Sequence, residues 1–169
     1  AITHLARQCF METFSIGPKD LGMVLIYDVC HNVAKFEEHT VDGQLRTLCV
    51  HRKGATRAFP AGDLRIPTSL RAVGQPVLVP GDMGRASYVL IGAPGALKHT
   101  FGSTCHGAGR VMSRAQAKRE SRGRDLFGEM AERGVTVRAA SRRTVAEEMP
   151  YAYKNVADVV NVMAGAGVS

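Results

Sequence analysis

The sequence predicts an α+β protein with mixed, largely antiparallel sheets and flanking helices. Three observations carry this reading. Strand-like and helix-like stretches alternate without a regular strand–helix–strand period, which disfavours a doubly wound parallel sheet. Asp42-Gly43 separates two strand-like runs, a two-residue hairpin signal. The last third of the chain carries capped helical stretches.

In chain order, residues 3–14 place Leu5, Cys9, Phe10 and Phe14 in an approximate helical stripe. Gly17-Pro18 ends it. Residues 23–36 are rich in Val, Ile, Leu and Tyr and read as a strand, with helix as the alternative. Residues 45–51 return after the hairpin as its partner. Pro60, Gly62 and Pro67 mark a loop. Val77–Val79 is a short strand, Pro80–Gly84 a turn, and Ala86–Ile91 another strand. Residues 92–109 are Gly-rich and read as irregular. Ser113 is an N-cap with Gln116 at the capping-box position, which predicts a helix over Arg114–Arg119. A second helix is expected over Arg124–Arg133, stopped by Gly134. Val135–Ala139 reads as a strand and Asn155–Met163 as a closing helix.

The chain has 169 residues, 45% hydrophobic and 22% charged, which is one globular domain's worth of material. That apolar content disfavours disorder. No run of about 18 apolar residues occurs, so no membrane partner is expected. The 18 glycines have no period, which excludes a collagen-like chain. Cys9, Cys30, Cys49 and Cys105 form no CxxC pair, and no signal-peptide core is present. Reduced thiols and a cytoplasmic location are therefore expected. The chain begins at Ala1 and stops at Ser169 without a finished element, so both ends read as cut.

The net charge is +7 and is unevenly placed. Residues 107–143 hold ten basic and four acidic side chains, a net +6, whereas the tail from Thr144 is net −2. A basic block of this kind points to a polyanion such as nucleic acid or nucleotide phosphate, or else to a solvated helix face.

Four segments carry candidate chemistry. Phe101-Gly-Ser-Thr-Cys-His106-Gly-Ala-Gly-Arg110 strips side chains from the backbone around His106, so exposed N–H groups there can cradle phosphate oxygens. Arg110 and Arg114 follow four residues apart and suit bidentate phosphate contact. His106 itself suits a base, a metal ligand or a nucleophile. Its neighbour Cys105 reads as a small buried residue. In the second segment His31 reads as a core histidine between Val29 and Val33, or as a metal ligand, with His39 and His51 able to approach across the hairpin. The third, His51–Arg57, is a basic loop or an exposed connection. The fourth, Pro80–Ser87, is a hairpin turn or a ligand-contacting loop.

Together these segments resemble one family. Tyr27-Asp-Val-Cys-His31-Asn32-Val-Ala-Lys35, Val50-His-Arg-Lys53-Gly-Ala-Thr-Arg-Ala-Phe59, Gly74-Gln-Pro-Val-Leu-Val-Pro-Gly-Asp-Met-Gly84 and Phe101–Arg114 occur in the order seen in the RtcB tRNA-splicing ligases. The resemblance runs from about Ile2 to Met163. It implies an RtcB-like fold, with residues 1–169 forming the C-terminal part of a single catalytic domain. It also implies a GTP- and Mn2+-dependent ligase that joins RNA 3′-phosphate or 2′,3′-cyclic phosphate ends to 5′-hydroxyl ends, in tRNA splicing or RNA repair. By this resemblance His106 is the histidine that becomes guanylylated. His31 is a manganese ligand and Asn32 beside it a phosphate contact. Pro80, Gly81, Asp82, Met83 and Ser87, with Gly107, Ala108 and Gly109, form part of the guanylate site. Lys53, Arg110 and Arg114 contact phosphate or RNA. Asp82 stands where many members carry serine; its carboxylate either repels nucleotide phosphate or hydrogen-bonds the guanine. The family's other metal ligands lie in an N-terminal portion, and a guanine-contacting lysine lies near its C-terminus. The expected partners are RNA, GTP, that N-terminal portion and an archease-type activator. The alternative is a catalytically incomplete piece that only binds RNA through its basic surface.

Overall fold

A computed structural model describes residues 1–169. Helix α1 spans Ile2–Phe14 and ends at Ser15, whose left-handed backbone turns the chain. Leu5, Phe10 and Phe14 keep its apolar stripe exposed. A short α2, Pro18–Leu21, starts on a proline and stops at Gly22. The strand expected over residues 23–36 is not formed as such. Residues 22–31 are irregular, Val24, Leu25 and Ile26 are exposed, and pairing begins only at Asn32. The apolar run has no neighbouring strand to complete its backbone hydrogen bonds, so composition alone does not make it a strand.

Strands β1 (Asn32–Val41) and β2 (Gln44–Lys53) form the expected hairpin. Asp42 and Gly43 both have positive φ, 51° and 75°, the backbone of a two-residue type I′ turn. Next come β3 (Ala55–Arg57), α3 (Thr68–Arg71), β4 (Pro76–Val79) and β5 (Tyr88–Ile91). The stretch expected to be irregular contains α4 (Pro94–His99) and β6 (Ser103–Cys105). Three two-stranded antiparallel sheets result: β1 with β2, β3 with β6, and β4 with β5. The α+β reading with antiparallel pairing holds.

The remaining elements are α5 (Arg114–Glu120), α6 (Leu126–Glu132), α7 (Arg142–Glu147), a 3-10 turn (Pro150–Ala152) and α8 (Val156–Gly165). Ser113 caps α5 as expected, its Oγ accepting from the Gln116 N–H at 3.1 Å. The strand expected over Val135–Ala139 is absent. Val135 and Val137 instead pack onto the helical core from an unpaired extended segment. No helix is long and apolar enough to cross a membrane.

Two cores hold the chain. The first joins Ala58, Val77, Val79, Ala96, Ala108 and Val156 with Val168, drawing β3, β4, α4 and α8 together. The second gathers Leu126 and Met130 of α6 with Val145, Ala146 and Met149 from α7 and its exit.

The hairpin's inner face is charged. Arg52, 2% exposed, donates from Nη1 and Nη2 to the two carboxylate oxygens of Glu37 at 2.9 and 2.7 Å. A ring nitrogen of His39 lies 3.2 Å from the same carboxylate. Arg52 also donates to Ser103 Oγ and to the Phe101 carbonyl. The pair therefore fastens the hairpin to the strand that leads to His106. Burial pushes the Glu37 carboxyl up, but Arg52, His39 and Arg57 outweigh it and hold it below its ordinary value of 4.5. The folded carboxyl thus titrates below the unfolded one, so its stabilisation is complete above pH 4.5 and is lost as pH falls through the lower folded value. The melting temperature of the chain should drop through this acid window, and Glu37→Gln should flatten that part of the profile. An unchanged profile in the variant would remove Glu37 as its source.

Candidate active site

Strand β6 delivers His106 at its end, and three backbone bonds fix the glycine loop that follows. The Ala108 N–H donates to the Pro80 carbonyl at 3.0 Å. The Lys154 N–H donates to the Gly109 carbonyl, and the Val111 N–H to the Ala152 carbonyl. Ala108 is buried in the first core, so the loop is anchored at its middle by packing as well. Gly109 has φ +77°, where a side chain is strained. Gly107 differs. Its φ is ordinary, and an added Cβ would meet only Pro80, the carbonyl oxygen at 3.6 Å and the ring at 3.9 Å, so nothing within the chain requires glycine there.

The loop borders an open cleft of about 700 Å³ against the start of α8. The far wall carries Lys154, Asn155 and Asp158 above Val159 and Met163. Its size and mixed lining suit a nucleotide. Nothing in the sequence marks this wall beyond the polar Lys154-Asn155 pair ahead of the closing helix.

His31 and His106 come together. Their rings stack with centroids 4.0 Å apart and an interplanar angle of 13°. His31 is exposed rather than a core histidine, and its companion is His106 rather than His39 or His51. His39 is turned to Glu37, and His51 pairs with Ala34. Burial, and then the neighbouring His31, push the His106 imidazolium's pKa below 6.5. The ring is therefore held in its neutral, nucleophilic form near pH 7.

The other predicted residues arrange as follows. Asn32, the residue after His31, opens β1 directly opposite Lys53 of β2. Pro80 braces the glycine loop, and the Gly81 N–H faces Ser87 Oγ at 3.4 Å. The Asp82 carboxylate is shut into its own turn, accepting from the Gly84 N–H and from Arg85, with its side chain 0% exposed. Its carboxylate oxygens are thereby engaged within the turn itself. Met83 packs on the second core. Arg110 is an internal brace here. It donates to the Met112 and Glu147 carbonyls and to Tyr153 Oη, faces Glu148, and stacks on the Tyr153 ring. Arg114 is more exposed and faces Glu147 and Glu148. Tyr153 also bonds Glu148; burial, then Glu148, raise its phenol pKa. The basic stretch His51–Arg57 is not a loop. It ends β2 and forms β3, with Arg52 buried and Arg57 bonded to Gln75 and Tyr27, so Lys53 is its exposed cation.

No group of three or more His, Cys, Asp or Glu side chains converges to hold a metal ion. His31 offers one imidazole, and divalent transition metals need several donors. The donor set of this chain alone does not fit a complete Mn2+ site.

One protein family, described as tRNA-splicing ligase RtcB, matches residues 1–169. The tRNA-splicing ligase RtcB of Pyrococcus abyssi (strain GE5 / Orsay) is 60% identical over 168 residues, covering 99% of this chain and 18% of that protein. That of Pyrococcus furiosus is 59% identical over 169 residues, 99% of this chain and 17% of the relative. That of Thermococcus kodakarensis is 56% identical over 168 residues, 99% and 35%. The chain thus spans 17 to 35% of the length of these relatives.

Proposed function

The chain belongs to the RtcB family of tRNA-splicing ligases, and we propose that it carries the nucleotide-accepting part of a GTP-dependent RNA ligase site, with His106 as the guanylylated residue. One observation carries the reading. Two histidines 75 positions apart in sequence stack at 4.0 Å, and the glycine loop that follows one of them opens onto a nucleotide-sized cleft.

In the proposed reaction a neutral nitrogen of His106 attacks the α-phosphorus of GTP. A phosphorus–nitrogen bond forms and pyrophosphate leaves. An oxygen of an RNA 3′-phosphate then attacks the same phosphorus, breaks that bond and frees His106. Last, an RNA 5′-hydroxyl oxygen attacks the activated 3′-phosphate, gives up its proton, and GMP departs. The loop supplies N–H groups at close approach, Pro80 and Ser87 border it, and Lys53 with Asn32 offers polar contacts for phosphate beside His31. His31 contributes one ligand to a metal site completed by the remainder of a longer, cytoplasmic protein. The missing donors favour a second reading of this chain taken alone, in which it binds RNA through its basic surface without catalysis.

Joining of a 3′-phosphate RNA strand to a 5′-hydroxyl strand, with and without GTP, tests the function in the longer protein that contains this chain. A GTP-independent product or none at all would sink it. The variant Gly107→Val separates site from scaffold. Gly107 lines the cleft and an added Cβ meets only Pro80 at ordinary contact distance, so GTP binding should fall by about tenfold or more, the ~1–3 kcal/mol of a misplaced aliphatic group in a pocket. Its melting temperature should stay close to that of the parent. Equal loss of both would mean that Gly107 is structural.

A further inference from the structure

The segment from Ser113 to Met149 is a small helical body that supplies the buried residues of the second core, set apart from the core that anchors the glycine loop. Between α5, α7 and the start of α6 lies an open groove of about 470 Å³. Seven residues line it, among them Lys118, Arg124, Arg142 and Arg143, and none is a carboxylate. The nearby acids offset part of this charge and leave Arg143 unopposed. Glu129 takes Arg124 and Glu147 takes Lys118, both in partly exposed pairs. Asp125 lies 3.5 Å from Arg142 with both side chains about three-quarters exposed, a pair of little net strength. Arg143 has no ion-pair partner, and neither do Arg119 and Arg122 on the same side of the sequence.

Two further features point to an elongated polyanion. Arg124 and Arg142 lie over the rings of Tyr151 and Phe127, at 4.5 and 5.4 Å, which limits their freedom before a ligand arrives. Arg114 and Lys118 stand one turn apart on α5, about 6 Å along the axis, Arg114 four residues after Arg110 and Lys118 lining the groove, both in partly exposed pairs with Glu147 or Glu148.

We propose that this groove is a subsite for the phosphodiester backbone of an RNA strand, gripping it beyond the ends that react at His106. The identity of the polyanion rests on the ligase reading given above; the groove and its charge do not. Contact is with phosphates, so binding is sequence-tolerant and salt-dependent.

The test is RNA binding by this chain, measured with a labelled single-stranded RNA of about twenty nucleotides across a series of salt concentrations. The double variant Arg142→Gln/Arg143→Gln is compared with Lys19→Gln/Arg46→Gln, which removes the same charge elsewhere. Loss of two phosphate contacts should reduce the log–log salt slope by roughly 1.4 and weaken binding several-fold at low salt, while the control variant keeps the parent slope. Equal slopes for both variants would overturn the subsite and leave only general attraction. Competition by polyglutamate as effective as competition by unlabelled RNA would overturn the assignment to RNA. GMP uptake by the longer parent protein is followed separately. A protein that takes no GMP yet depends on Arg142 and Arg143 for RNA binding refutes the ligase reading and leaves the groove standing; the converse refutes the groove alone.

Discussion

His106→Ala should take up no GMP in a protein with the complete metal site, and RNA joining should fall by roughly 10,000-fold or more, the scale on which loss of a covalent nucleophile acts. The reason is positional. No other imidazole except that of His31 lies against His106, and the stack holds the two rings nearly parallel at 4.0 Å. The fold should survive the substitution, because His106 is only partly buried and makes no side-chain hydrogen bond that the hairpin or either core depends on. GMP incorporation followed by peptide mapping checks this. An adduct that persists on His31 in the variant would show that the two histidines share the role; an adduct of undiminished yield elsewhere would exclude His106.

The largest stability effect is expected at a residue with no part in the chemistry. Arg52→Met removes one partner of a buried pair and leaves the Glu37 carboxylate, the Phe101 carbonyl and Ser103 Oγ short of a donor. Breaking such a pair costs about 3–5 kcal/mol, which for a chain of this size lowers the melting temperature by roughly 6–20 °C. The double variant Glu37→Leu/Arg52→Met should recover much of that loss, since no charge is then stranded. A single variant as stable as the parent would mean that the hairpin is held by something else. Arg52 also ties β2 to the segment entering β6, so the single variant should loosen His106 and slow guanylyl uptake.

The parts that were legible in the sequence carry their own local cause. Asp42-Gly43 dictates the hairpin through two positive φ angles, and Ser113 with Gln116 dictates the start of α5. The turn at Pro80–Gly84 and the helix stop at Gly134 follow in the same way. The misses are tertiary. Residues 23–31 and 135–139 have strand composition but no strand beside them. β6 is three residues long and forms because β3 lies across from it, which no periodicity reveals. Arg52 sits in a run of cations that reads as solvent-facing, yet the alternation of β2 turns it inward onto Glu37. For the site, the glycine loop was visible as a loop. The meeting of His31 with His106 was not, because it depends on how the irregular residues before β1 pass the end of β6. The family resemblance named both histidines, but their contact is a property of the fold.

The central claim is that His106 accepts the guanylyl group. The intact mass of this chain after incubation with GTP and Mn2+, beside a His106→Ala control and beside the longer protein, tests it most directly. The account predicts an acid-labile gain of one GMP in the longer protein, absent from the control, with little or none in the chain alone because His31 is its one metal donor at the site. A gain of GMP that the His106→Ala variant retains in full would contradict it.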